Sequence, residues 1–169
     1  TGGYICTSPF PYDGIFRRAV LNFKFHNCGA YAELLSHEMV RSIKDVYRDR
    51  EFDLVTCVPM HKDTLRKRGY NQAELLAKEC ARLLGIEYAD LLAKTKKNKT
   101  QHSIKAAERA KNVIGVYSPI DKNLIKGKRI LIIDDIITTG STLGECARIL
   151  NKCKCGEICC CTLCTSLLI

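Results

Sequence analysis

Ile130-Leu131-Ile132-Ile133-Asp134-Asp135-Ile136-Ile137-Thr138-Thr139-Gly140-Ser141-Thr142 decides the fold. Four consecutive apolar residues, three of them β-branched, predict a strand buried on both faces, as in a parallel sheet. Two carboxylates then stand where that strand should end. A loop of small hydroxyl residues and one glycine follows, and after it Leu143, Cys146, Ala147 and Leu150 recur at helical spacing. Ser141 or Thr142 is placed to cap that helix. The free N–H groups and positive end of a helix suit a phosphate, and Gly140 lets the backbone approach it closely. Asp134 and Asp135 are suited to binding hydroxyls or helping to hold a hard cation.

This run resembles the phosphoribosyl pyrophosphate (PRPP) motif of type I phosphoribosyltransferases over its whole length. The resemblance implies that Thr138, Thr139, Gly140, Ser141 and Thr142 cradle the 5′-phosphate. Asp134 and Asp135 would then bind the ribose hydroxyls and, with the substrate, Mg²⁺. The expected fold is α/β: an open, mainly parallel sheet flanked by helices, with a flexible hood loop.

A length of 169 residues suits one domain, with residues 1–50 as a helical segment on the hood side and 51–169 as the core. A hydrophobic content of 46% argues against disorder. No run is long enough to span a bilayer and the chain does not start with a signal peptide, so a cytoplasmic protein without membrane contact is expected. The net charge of +9 suits a polyanionic ligand, whether a pyrophosphate-bearing metabolite or a nucleic acid.

Phe52 to Pro59 reads as the first core strand, stopped by proline and followed by a turn at Met60, His61 and Lys62. Arg66, Lys67 and Arg68 bring basic charge nearby. Asn71-Gln72-Ala73-Glu74 has the form of a capping box, with Glu74 reaching back. Ala73, Leu76, Ala77, Cys80 and Leu84 supply that helix's apolar stripe, and Gly85 ends it. Before this unit, residues 1–11 should be irregular or an edge segment. Ile15 to Phe23 suggests a short helix, and Tyr31 to Arg48 a longer one with Ala32, Leu35, Met39, Ile43 and Val46 inside. Beyond it, Tyr88–Ala93 and Val113–Tyr117 read as short strands, and 119–128 as a connection.

The segment Arg68-Gly69-Tyr70-Asn71-Gln72-Ala73-Glu74, with Tyr12-Asp13-Gly14 and Phe23-Lys24-Phe25 upstream, resembles the ComF family of late-competence proteins. The resemblance extends over essentially the whole chain. It implies that Met60, His61 and Lys62 form the pyrophosphate loop, with Lys62 and Arg68 assisting Asp134 and Asp135 in catalysis. The polar, basic stretch from Lys94 to Ser103 corresponds to the family's hood, and Thr100, Gln101 and Arg109 match its pattern. A loop of this length is unusual in a compact domain unless it works as a lid, and the expectation is that Lys94 to Lys111 is mobile without ligand. ComF proteins commonly carry a four-cysteine zinc module ahead of Tyr-Asp-Gly. Only Cys6 precedes Tyr12, so that module is not expected within these residues.

Seven of the eleven cysteines lie between Cys146 and Cys164. Their spacing does not pair separated C-x₂₋₄-C elements as structural zinc sites do. Cys159, Cys160, Cys161 and Cys164 read instead as small hydrophobes in a buried strand, Cys159 and Cys161 facing one way and Cys160 and Cys164 the other. The function expected is Mg²⁺-dependent transfer of ribose 5-phosphate to an unidentified acceptor. Purine-salvage relatives commonly place a third acid where this chain has Thr138, which disfavours hypoxanthine-type salvage. The alternative is a non-catalytic PRPP- or nucleotide-binding protein that serves regulation or DNA uptake, with competence proteins as partners. The positive charge permits nucleic-acid contact although no motif calls for it, and self-association as a homodimer is left open.

Overall fold

The computed structural model describes residues 4–25, 29–96 and 113–167. The elements run β1 (Ile5–Thr7), β2 (Phe10–Pro11), α1 (Gly14–Phe25), α2 (Gly29–Val46), β3 (Leu54–Cys57), α3 (Lys62–Arg68), α4 (Gln72–Leu84) and β4 (Glu87–Tyr88). They continue with β5 (Leu92–Lys94), β6 (Tyr117–Pro119), α5 (Lys122–Ile125), β7 (Arg129–Ile137), α6 (Ser141–Lys152) and β8 (Glu157–Thr165). The main sheet has the order β1-β8-β7-β3-β4, with β2 also on β8, and every pairing in it is parallel. Residues 4–11 are thus an edge segment, interrupted at Pro9, which has no N–H to give a ladder. β5 and β6 form a separate antiparallel pair.

Alternation along the strands divides the core in two. Leu131, Ile133, Val55, Cys159 and Cys161 face α1, α2 and α4, meeting Val20, Phe23, Met39, Ile43, Leu76 and Cys80. Ile130, Ile132, Leu54 and Cys160 face α6, meeting Leu143, Cys146, Ala147 and Leu150. The sheet is therefore open, parallel and covered on both faces, as the sequence predicts.

Several local expectations are corrected. β7 does not stop at the acids but runs through both to Ile137, because β8 continues beside it and pairs Ile136 with Cys164. Cys164 packs with Cys159 and Cys161, not with Cys160. Simple alternation is lost after Thr162, whose hydroxyl turns back onto the Cys164 carbonyl at 3.0 Å. The α6 cap is Gly140, in the left-handed region at φ 73°, rather than Ser141 or Thr142, which are already helical. Glu74 is engaged by Lys78 at 2.6 Å, so capping at α4 rests on Asn71 alone, which accepts from the Ala73 N–H at 3.2 Å. Val46 is exposed on α2, and Tyr47 is buried in its place. Lys94, assigned to the hood by its position in a lysine run, lies in β5, and Val113 to Val116 precede β6 as a turn.

The amino edge of the sheet is held by ions. The Arg129 guanidinium donates to both Asp53 oxygens, at 3.1 and 2.9 Å, and to Glu51 at 2.8 Å, while Arg50 pairs with Glu157. Arg129 holds the Asp53 carboxyl well below the usual carboxylate range. A depressed folded-state pKa means stability that is present above the unfolded value of about 4 and drains away as pH falls below it. Asp53→Asn is accordingly expected to lower the thermal midpoint at neutral pH, with the gap to wild type closing in acid. Thermal unfolding of both proteins at the two pH values checks this, and a gap independent of pH would refute it.

Candidate active site

Chain order places the opening. From β3 the chain leaves towards α3 and α4 on one face of the sheet, and from β7 it leaves towards α6 on the other. Because β3 and β7 are neighbours, their carboxyl ends form the point where connections diverge and a crevice opens.

On the β3 side, the Val58 N–H donates to the Ile133 carbonyl at 3.0 Å, extending the ladder by one residue. Asn71, 6% exposed, donates to the Val58 carbonyl at 3.1 Å while capping α4, and so ties the Pro59-Met60-His61 loop to that helix. His61 caps α3, its Nδ1 accepting from the Asp63 N–H at 3.2 Å. That bond assigns the ring proton of the neutral form to Nε2. Gly69 closes α3 at φ 87°, and the Tyr70 hydroxyl donates to the Phe23 carbonyl of α1. Arg68 donates to the Gln72 side chain at 2.8 Å, and Gln72 is 1% exposed.

On the β7 side, the Asp134 carboxylate accepts from the Asp135 N–H at 2.8 Å. Thr138 and Thr139 follow, exposed, and then Gly140. The Tyr4 hydroxyl donates to the Gly140 carbonyl at 2.8 Å, and a Cβ on Gly140 would lie 2.9 Å from it. A side chain there is excluded both by the positive φ and by that contact. Gly140 brings no side chain to the first N–H groups of α6.

These parts enclose two cavities. The smaller, about 30 Å³, is lined by Asp134 and residues 136–143. The larger, about 260 Å³, is lined by residues 58–61, Thr64, Arg68, residues 71–73, Lys94, Tyr117, Asp134, Asp135 and Thr142. Asp134 and Thr142 belong to both. Of the residues singled out from sequence, Met60, His61, Arg68 and Asp135 line the larger cavity, Thr138 to Ser141 the smaller, and Asp134 and Thr142 both. Lys62 does not: as the first residue of α3 it is exposed and absent from the lining. Thr100, Gln101 and Arg109 lie outside the described residues. A wider cavity, about 730 Å³, occupies the amino edge, but its Arg50, Glu51, Arg129 and Glu157 already satisfy one another.

Sequence reading missed Lys94, Tyr117 and Glu145. Lys94 is half-buried, which pushes its ammonium pKa down against the raising influence of Asp134. Its Nζ sits 5.5 Å from the centre of the Tyr117 ring. Glu145, 5% exposed on α6, accepts from the Gly115 N–H at 2.9 Å and from Arg148 at 2.6 and 2.7 Å, fixing the strand side of that helix. Among the described residues, no three His, Cys, Asp or Glu side chains are grouped to hold a metal ion, and no helix is long and apolar enough to cross a membrane.

A family model described as the phosphoribosyl transferase domain matches residues 71–167. Competence protein F of Haemophilus influenzae is 31% identical over 144 residues, 82% of this chain and 63% of that protein. Competence protein ComFC of Bacillus subtilis is 31% identical over 152 residues, 89% of this chain and 60% of that one. The DNA utilization protein YhgH of Escherichia coli K12 is 30% identical over 101 residues, 59% and 44% respectively. The chain thus spans roughly half to two thirds of the length of these curated relatives. Among solved structures, the glutamine PRPP amidotransferase of B. subtilis, complexed with ADP and GMP, aligns over 83% of this chain and 30% of its own. Its TM-score is 0.55 at 18% identity, a likeness of fold.

Proposed function

The chain belongs to the phosphoribosyl transferase domain family, in its ComF branch, and from that premise we propose that it binds PRPP and transfers ribose 5-phosphate to an acceptor. The observation that supports this reading is that the two cavities share Asp134 and Thr142 as lining residues. A 5′-phosphate at Thr138 to Thr142 would leave the ribose hydroxyls over Asp134 and Asp135 and the pyrophosphate beside Met60, His61 and Arg68. In the reaction the bond between the anomeric carbon and the pyrophosphate oxygen breaks, and its electron pair departs with the pyrophosphate. A lone pair of the acceptor forms the new bond, and an acceptor proton is released.

Two adjacent carboxylates are a hard oxygen donor set, and Mg²⁺ typically takes one or two carboxylates plus substrate phosphates rather than an all-protein cage. Asp134 and Asp135 fit that description, and no third protein ligand is required. When bound, Mg²⁺ would offset the charge developing on the leaving group. Arg68, oriented by the buried Gln72, adds positive charge on the same side. His61 contributes an N–H donor rather than a base, given its cap bond. Thr138 leaves the loop without the acid that purine-salvage relatives commonly place there, which disfavours a hypoxanthine-type acceptor.

The names of the relatives, Competence protein F and DNA utilization protein, favour a second reading in which the same site binds PRPP without turnover, as part of DNA uptake in the cytoplasm. Product analysis separates the two. Incubation with PRPP, Mg²⁺ and a pool of acceptors is expected to release pyrophosphate and yield a ribosylated product. PRPP binding with no pyrophosphate above the blank would establish the second reading instead.

A further inference from the structure

Pyrophosphate carries more charge than any other part of PRPP, and among the described residues the larger cavity offers few cations to meet it. Lys62, Arg66 and Lys67 are exposed on α3 and do not line it. Arg68 lines it while bonded to Gln72. Among the described residues, the other cationic side chain in its lining is Lys94.

The fold seats this lysine from several directions. In the antiparallel β5–β6 pair, Lys94 stands directly opposite Tyr117. Cross-strand neighbours on one face are close enough to interact, and the ammonium rides over the ring at 5.5 Å. Tyr117 is 6% exposed and lines the larger cavity together with Thr142 at the start of α6. The ring thus seats Lys94 in the cavity that Thr142, of the loop read as the 5′-phosphate cradle, also lines. Asp134 lines the same cavity. A half-buried ammonium costs stability unless a negative ligand repays it, and a seat over the Tyr117 ring holds the charge at a fixed place instead of leaving it to a solvated side chain.

We propose that Lys94, held over Tyr117, is a cation that receives the pyrophosphate end of the ligand, and that Tyr117 is the residue that positions it. The proposal rests on the phosphoribosyl reading of the site and assigns to Lys94 the part that position in the loop had suggested for Lys62. It predicts a selective loss.

Calorimetry with inorganic pyrophosphate plus Mg²⁺, and separately with ribose 5-phosphate, tests it on wild type, Lys94→Met, Lys94→Arg, Lys62→Met and Tyr117→Leu. Lys94→Met should weaken pyrophosphate binding about tenfold or more, the scale of a lost charge-assisted hydrogen bond, and leave ribose 5-phosphate within about twofold. Lys94→Arg should restore most of the affinity, and Lys62→Met should change little. Tyr117→Leu should weaken pyrophosphate in wild type but add little on top of Lys94→Met, a coupling that general loosening would not produce. Lys94→Met should also unfold at a temperature no lower than wild type, since a half-buried charge is removed. Wild-type pyrophosphate affinity in Lys94→Met, or equal loss of both ligands, would overturn the assignment. Failure of the wild type to bind either ligand would overturn the phosphoribosyl reading beneath it.

Discussion

Asp134→Asn is expected to weaken PRPP binding on the order of 100-fold and to leave thermal unfolding nearly unchanged. Asp134 is the carboxylate that lines both cavities. A carboxylate that accepts from ribose hydroxyls and faces Mg²⁺ contributes charge-assisted bonds of about 1.5–3 kcal/mol, and about 2.7 kcal/mol is two orders of magnitude in affinity. The amide retains the oxygen that accepts from the Asp135 N–H, so the local backbone keeps its support. Calorimetry on both proteins, with and without Mg²⁺, measures the effect. Mg²⁺ should enhance binding strongly in wild type and weakly in the variant. Equal affinities under both conditions would remove the acids from the site, and a collapse of the unfolding temperature would make their role structural. Asp135→Asn, run in parallel, apportions the effect between the two.

Where local chemistry decided a feature, sequence was enough to find it. Ile130 to Ile133 are 0% exposed, and a run of that apolarity ahead of two acids has few places to go except the centre of a parallel sheet. The α4 helix was legible because Asn71 and Gly85 sit at its two ends and both do what those residue types do there. What sequence did not reveal depends on contacts made far along the chain. Gly140 is held by Tyr4, 136 residues away. Lys94 opens a run of lysines with no apolar period to distinguish it from its neighbours, and only its pairing opposite Tyr117 directs it to the cavity. Lys62 failed as a cavity residue for a similar reason. The capping bond at His61 starts a helix there, and that helix carries residue 62 to the surface. The length of β7 was misjudged because charge usually ends a buried strand, whereas β8 carries the ladder on past Asp134.

The cysteines yield the other large effect, a difference in rate. In native protein at neutral pH, Cys155 and Cys6, both partly exposed, are expected to react first among the ten described thiols. Cys57, Cys80, Cys146, Cys159, Cys160, Cys161 and Cys164 should be slower by on the order of a thousandfold, because they become accessible only when the surrounding structure opens. The thiolate is the reactive species, and burial pushes these thiols the wrong way for reactivity: Cys6 up to about 11, Cys57 and Cys80 up to about 12. Cys6 should therefore lag behind a free cysteine even though solvent reaches it. In denaturant all eleven should titrate together. Placement on both faces of the sheet argues against a shared metal, since Cys159, Cys161 and Cys164 pack towards α2 and α4 while Cys160 packs towards α6. Thiol titration in native buffer and in denaturant, together with elemental analysis of the purified protein, decides the matter. Rapid reaction of the β8 thiols in the native state, or one tightly held zinc per chain ligated by them, would mean that these residues are chemical groups rather than the small apolar side chains of a core strand.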